Sequence, residues 1–201
     1  GEQHHRRGIF LQLIRGGEKC GAVVLFVQPK LSEQREHVTP VALAARTPNV
    51  VVVHPSVPAR SVQELVALAR GRPGELNYSA GSPGSTPHLT GEMFKVRTGI
   101  DLTHIPYKGA GPALTALISG EVAVSFPGAG SAMPHLVAGR LRAVGVTSAG
   151  PSALLPGIPT VASTVPGFET VALYGVFAPA GTPVEIIGRL NREGVRPISG
   201  S

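Results

Sequence analysis

The chain has 201 residues, enough for one large domain or two small lobes. Hydrophobic residues make up 42% and charged residues 15%, a globular composition that excludes an intrinsically disordered chain. The net charge of +6 is carried by scattered Lys and Arg without interleaved aromatics, which argues against a nucleic-acid partner and leaves a mild bias toward anionic small molecules.

Other classes fall away quickly. The longest apolar runs, "GAVVLFV" and "NVVVV", are strand-length and far short of the roughly 20 residues of a membrane-spanning helix. Cys20 stands alone, so neither a disulfide framework nor a cysteine metal site can form within the chain. Asp101 is the only aspartate, and carboxylate-rich metal sites need several oxygen ligands close together. No metal, cofactor or catalytic residue is expected. The amino-terminal stretch "GEQHHRRGIFLQLIRGGEKC" is too charged, and its apolar core too short, for a signal peptide. If the parent protein is exported, its leader is not in this sequence.

In chain order, residues 1 to about 37 give no clear pattern, and the His4–His5 pair reads as a solvated terminus. Regular patterning starts at Val38. "NVVVVHP" is a buried strand ended by Pro55, which the alternation that follows places in a mostly parallel sheet. Ser61 and Glu64 form a capping box for a helix that stops at Gly71. "LNYSA" is a strand. Thr86 and Pro87 then open a helix whose apolar side is Leu89, Met93, Phe94 and Val96, closed by Gly99. "DLTHIPY" and "EVAVSF" are strands, each followed by a glycine turn and a helix, and "RLRAVGVTS" is a further strand. This alternation predicts an α/β fold with a mostly parallel sheet flanked by helices. After Ser148 comes a Pro/Gly-rich connection with a short helix near Thr160. A strand at "VALYGVFAP" follows, then a helix with Thr182 as cap and Pro183 in its first turn.

Three strand exits look alike: "SAGSPGSTP" (79–87), "YKGAGP" (107–112) and "FPGAGS" (126–131). In a parallel sheet they share one edge, where helix amino termini present unpaired N–H groups and small residues let a ligand approach the backbone. The edge is therefore expected to seat an anion. A phosphate loop is disfavoured because no Lys follows the second Gly of "GSPGSTP", and no turn matches G-x-G-x-x-G with a downstream acid. A serine hydrolase is disfavoured because G-x-S-x-G is absent and no acid is placed to orient His88, which reads as a rim residue or ligand donor. A carboxylate needs only N–H and hydroxyl donors, which Ser79, Ser82, Ser85, Thr86 and adjacent amides supply, with Lys108 adding charge.

The blocks "TPVALAARTPNVVVVHPSVPARSVQELVALAR", "PGELNYSAGSPGSTPHLTGEMFKVRTGIDLTHIPYKGAGPALTALISGEV", "PHLVAGRLRAVGVTSAG", "LPGIPTVAS" and "VPGFE" followed by "APAGTPVEIIGRLN" occur in this order. Together they resemble the substrate-binding proteins of tripartite tricarboxylate transporters, the Bug family. The resemblance runs from about Pro40 to Asn191. It implies a periplasmic-binding-protein-like (type II) fold, a mostly parallel sheet flanked by helices, in which the other, amino-terminal lobe is incomplete here. Residues 1–37 would be a divergent remnant of lobe 1, 38–170 the ligand-binding lobe 2, and 171–201 a return segment, with hinges near Thr47 and Tyr174. It further implies a periplasmic protein that captures a small carboxylate (a di- or tricarboxylate, an aromatic acid or similar) and hands it to membrane subunits of the transporter. It implies no enzyme activity and a monomer; the alternative is a truncated family remnant without ligand binding that acts at most as a self-associating or structural domain through an exposed lobe surface. Carried onto this sequence, the ligand positions are Ser79, Ala80, Gly81, Ser82, Gly84, Ser85, Thr86 and His88, then Tyr107, Lys108 and Gly109, then Pro127, Gly128 and Ser131. Two departures stand out. The family's amino-terminal glycine-rich loop is not found, and Pro127 stands where many members have Asp, which suits a plain carboxylate better than an amino acid.

Overall fold

The computed structural model describes residues 38–194. The readings of residues 1–37, His4 and His5 included, and of the tail after 194 lie outside the described residues. Two strands, β1 (Val38–Pro48) and β7 (Val171–Pro179), pair antiparallel as a ribbon, and α5 (Val184–Gly194) packs on it, with Asn191 Nδ2 donating to the Val41 carbonyl at 2.6 Å. The rest is a five-stranded sheet between helices. Its strands are β2 (Val50–Val53), β3 (Asn77–Ala80), β4 (Thr103–Pro106), β5 (Val124–Ser125) and β6 (Arg142–Val146), in the order β4-β3-β5-β2-β6. Its helices are α1 (Val62–Gly71), α2 (Thr86–Thr98), α3 (Ala110–Ile118) and α4 (Ala129–Val137).

β3 runs parallel to β4 and β5, while β2 is antiparallel to both of its neighbours, β5 and β6. The sheet is thus mixed around one reversed strand. The four valines of β2 explain why this direction was illegible. All are fully buried, with Val51 and Val53 in the core shared with Leu65, Tyr78 and Phe94 and Val50 and Val52 in the core under Leu117 and Ala132. A strand covered by helices on both faces reads as a continuous apolar run whichever way it points.

The helix boundaries follow local chemistry, with small shifts from expectation. Ser61 Oγ accepts from Glu64 N at 3.1 Å, but the Glu64 carboxylate takes the N–H of Arg60 instead of Ser61, so only half of the expected box forms. At α2 the cap is Ser85, one residue early, and Gly99 ends the helix in the left-handed region at φ 64°. The expected apolar side of α2 is only partly correct: Val96 is 80% exposed, and the buried face is Thr90, Gly91, Phe94 and Thr98. The reason is distance. A Cβ on Gly91 would stand 2.5 Å from Tyr78 Cε2 and 3.1 Å from Phe126 Cε2, so α2 lies directly on two aromatic rings of the sheet. Thr160 accepts from Ser163 N and opens the expected short helical turn, here a 3₁₀ turn at Val161–Ser163. Thr182 does not cap α5 as expected. Its hydroxyl donates to the Pro179 carbonyl, and Ile186 and Ile187 N–H bond to Pro183.

The chain passes between ribbon and sheet twice, at Asn49 and at Thr170, and both crossings meet in one buried polar cluster. Asn49, Thr90, Thr147 and Thr170 are each 4% exposed or less. The Asn49 N–H donates to Thr147 Oγ1 at 2.9 Å, and that hydroxyl donates to the Thr170 carbonyl at 2.6 Å. Asn49 Nδ2 donates to the Phe126 carbonyl at 2.8 Å and reaches Thr90 Oγ1 at 3.4 Å, and Thr90 Oγ1 bonds to Thr170 Oγ1 at 3.2 Å.

Removing one partner from such a network strands the others without water. Asn49→Ala is expected to lower the free energy of unfolding in urea by about 2 kcal/mol, and a change below about 0.5 kcal/mol would contradict the cluster's role. Gly91→Ala is expected to cost about 2–3 kcal/mol by overpacking against Tyr78; a variant as stable as the parent would show that α2 can move away from the sheet.

Candidate functional site

β4, β3 and β5 are neighbours and parallel, so their carboxyl ends leave the sheet side by side. Each end turns straight into a helix. Gly81–Ser85 leads into α2, Tyr107–Gly109 into α3, and Phe126–Gly128 into α4. The turns touch: a Cβ on Gly81 would lie 3.5 Å from Gly109 Cα, and Tyr107 N donates to the Ala80 carbonyl at 2.9 Å. Because β2 is reversed, its first residues arrive at this same edge, where Asn49 bridges to Gly128 and Val50 N donates to the Pro127 carbonyl at 2.9 Å. Three helix amino termini thus converge on one shelf, backed by the Asn49 cluster.

The residues expected at the site divide into groups. Ser82, Lys108 and Ser131 are exposed on the shelf, and Ser85, Thr86, His88, Tyr107, Gly109 and Gly128 are half-buried along it. Lys108 has no hydrogen-bond or ion-pair partner among the described residues. Ser85 Oγ is a buried atom with no partner, although Ser85 is the cap residue of α2. Gly84 and Gly109 hold φ of 86° and 113°, values an L side chain resists, so the turns depend on glycine there. Ser79 and Ala80 are placed differently. Both lie inside β3, and the Ser79 hydroxyl donates to the Ala113 carbonyl at 2.9 Å, tying β3 to α3. Pro127 is buried and offers its carbonyl to Val50. Ser131 Oγ donates to the Gly128 carbonyl at 2.8 Å.

His88 faces inward. Its Nδ1 accepts the Gly84 N–H at 3.2 Å, and its ring centroid lies 4.4 Å from that of His104, which stacks on Tyr78 at 5.0 Å. Tyr78 Oη and Lys95 Nζ both donate to Glu92 Oε1, at 2.7 and 3.1 Å. Burial and the Glu92 carboxylate push the Tyr78 hydroxyl far above its usual range. Burial alone would raise Glu92, but the donors Tyr78 and Lys95 outweigh it and hold the carboxyl below its usual range. Burial, then the neighbouring His88, hold His104 below the ordinary imidazole range. At Tyr107, partial desolvation and a 2.9 Å bond to Glu121 raise the hydroxyl.

Sequence reasoning missed Asn49, Thr90, Thr147 and Thr170. They are single polar residues inside or beside apolar runs, and only the register of β2 brings them together. Two hollows are present among the described residues, the first reaching the third glycine turn at Ala129 and Gly130. One, of about 520 Å³, runs along α4 and is lined by Ala129, Met133, Pro134, Val137 and Leu154; the other, of about 350 Å³, separates α1 and α2 near Arg70 and Arg97. The first is apolar and offers an anion no donor from a side chain. Among the described residues no group of three or more His, Cys, Asp or Glu could hold a metal, and no helix is long and apolar enough to cross a membrane.

The sequence profile described as "Tripartite tricarboxylate transporter family receptor" matches residues 14–196. A Pseudomonas sp. protein described as "UPF0065 protein in tcbD-tcbE intergenic region" is 37% identical over 171 residues, covering 84% of this chain and 51% of that protein. The solved structure of R. palustris Rpa4515 with adipate is similar at a TM-score of 0.77 and 42% identity, over 80% of this chain and 54% of the other. MatC (Rpa3494) from Rhodopseudomonas palustris with bound malate gives 0.74 and 30%, over 82% and 56%. The chain therefore spans about half the length of these relatives, and its fold is that of a periplasmic-binding-protein-like domain. The profile match over most of its length establishes that this chain belongs to the receptor family of the tripartite tricarboxylate transporters.

Proposed function

We propose that the shelf formed by the three glycine turns binds the carboxylate of a small organic acid, as the receptor step of uptake by a tripartite tricarboxylate transporter. The observation that carries this reading is the convergence of three helix amino termini on adjacent parallel strands, with Gly81 against Gly109. Backbone N–H groups and the Ser82, Ser85 and Thr86 hydroxyls supply donors without an acid or a metal, and Lys108 adds a cation at the rim. Tyr107, Gly109, Gly128 and Ser131 complete the surface, and His88 faces inward beneath the first turn. Ser79, Ala80 and Pro127 act from behind it as scaffold. The adipate- and malate-bound relatives support an acid of a few carbons as cargo. A periplasmic location and a membrane transporter partner follow by the same likeness. Catalysis is not part of the reading: His88 Nδ1 is engaged by the Gly84 amide and not by a serine hydroxyl.

The ribbon favours an accompanying role for the surface outside the sheet. Leu43, Tyr174, Val176 and Phe177 on β1 and β7, with Val184 and Ile186 on or beside the first turn of α5, are exposed apolar side chains. The strand side chains lie on both faces of the ribbon, Tyr174 and Val176 on one and Leu43 and Phe177 on the other, and we read the ribbon as the seat of lobe 1 in a two-lobed receptor, with hinges near Thr47 and Tyr174. A chain that leaves the ribbon bare is expected to self-associate with rising concentration. Light scattering that reports a monomer throughout would contradict this.

Binding is tested by thermal unfolding. Adipate or malate at about 10 mM, against sodium chloride of equal ionic strength, is expected to raise Tm, and the uncharged diamide of adipate is not. Gly81→Val, whose Cβ would stand in ordinary contact with Gly109 and whose methyls would crowd the junction of the first two turns, is expected to abolish the shift in a chain that still unfolds cooperatively. A folded chain that responds to no acid, or a Gly81→Val variant that responds fully, would contradict the reading.

A further inference from the structure

The His88–His104 pair is not needed to supply donors to an anion, yet it is built into the first turn. His88 lies on α2, one helical turn past Gly84, and its Nδ1 accepts the Gly84 N–H at 3.2 Å. That bond requires Nδ1 to be unprotonated. An imidazolium has a proton on both ring nitrogens and can only donate. Gly84 itself is buried, sits at φ 86°, and stands in the middle of the Gly81–Ser85 turn. The turn's other local tie is the Ser85 N–H to the Ser82 carbonyl at 3.0 Å, so the contact with His88 is what fastens the turn's centre to the helix.

Four side chains from three elements face the His88 ring or its partner. From β4, His104 faces His88 at 4.4 Å with a buried Nε2 that has no partner. From β3, Tyr78 stacks on His104 and commits its hydroxyl to Glu92. From α2 itself, Glu92 and Lys95 face the pair as a joined anion and cation at 3.1 Å. Protonation of His88 therefore turns an acceptor into a donor that points at another donor, and a second proton on His104 is opposed at this separation.

We propose that His88 is a positioning residue that couples the order of the ligand turn to pH: the neutral ring holds the Gly84 amide and shapes the shelf, and the protonated ring releases it. This rests on the reading of the Gly81–Ser85 turn as part of a carboxylate seat. Cargo would be held at neutral and alkaline pH and let go on acidification, independently of any lobe motion.

The test uses the ¹⁵N-labelled 201-residue chain without ligand. The Gly84 amide shift and its hydrogen-exchange protection are followed from about pH 8 to about pH 5, corrected for intrinsic exchange, alongside the His88 ring resonances. The expected result is a step in the Gly84 amide that tracks His88 and a loss of protection of about tenfold, with the Gly139 amide unchanged. His88→Asn, whose carbonyl can accept the same N–H but cannot titrate, is expected to keep Gly84 protected with no step, and His88→Leu to be unprotected throughout. A wild-type Gly84 amide that ignores the His88 titration, or a step that persists in His88→Asn, would overturn the proposal. Because no acid is added, a chain that shows the step yet fails to bind adipate would refute the carboxylate seat and leave the coupling intact.

Discussion

The buried amide of Asn49 ties the ribbon, the reversed strand and two of the glycine turns together. Both crossings between ribbon and sheet meet there. The backbone on either side of Asn49 belongs to β1 and β2, and the Thr147–Thr170 pair it bonds to precedes β7. Its side chain reaches Phe126 at the base of the third glycine turn and Thr90 on the helix that follows the first. One residue therefore fixes the reversed strand, the root of the ribbon and two of the three turns relative to each other. The network is satisfied except at Asn49 Oδ1, which is buried without a partner, and breaking its bonds in another register would strand further buried groups.

The shelf owes its shape to small residues as much as to donors. Gly91 lets α2 lie on Tyr78 and Phe126, which draws the amino terminus of α2 to the sheet edge. Gly81 and Gly109 let the first two turns come into contact, and Gly84 and Gly109 adopt backbone angles closed to other residues. Each helix amino terminus is a weak positive pole by itself. Three of them over one shelf, with water partly displaced by the turns, make a field no isolated helix end provides. The price in conformational entropy of so many glycines is met by packing below the edge, where Tyr78, Phe94, Phe126 and Phe168 form an aromatic core.

Much of this was legible in the sequence, for identifiable reasons. The strand–glycine–helix repeat marks the three turns because helix starts and strand exits carry local signals: Ser61 with Glu64, Pro87 after Thr86, Gly99 at the end. The family resemblance, carried by ordered blocks, reached the same turns. What stayed hidden is non-local. Four buried valines do not say which way β2 runs, so the arrival of Asn49 at the turns could not be read. The buried face of α2 could not be read either, since a glycine and two threonines look like a polar side until a tyrosine ring is found beneath them. Ser79 seemed a ligand donor because it is a hydroxyl beside a glycine turn, and only the packing of α3 shows its partner to be Ala113.

A residue-resolved amide titration of the chain with adipate by NMR decides whether the three turns form the carboxylate seat. Shifts that saturate together and are confined to Gly81–Thr86, Lys108–Ala110 and Gly128–Gly130 are expected, with Arg70 and Arg97 on the far hollow unmoved. Saturable shifts centred on Arg70 and Arg97, or none at the three turns, would contradict this seat.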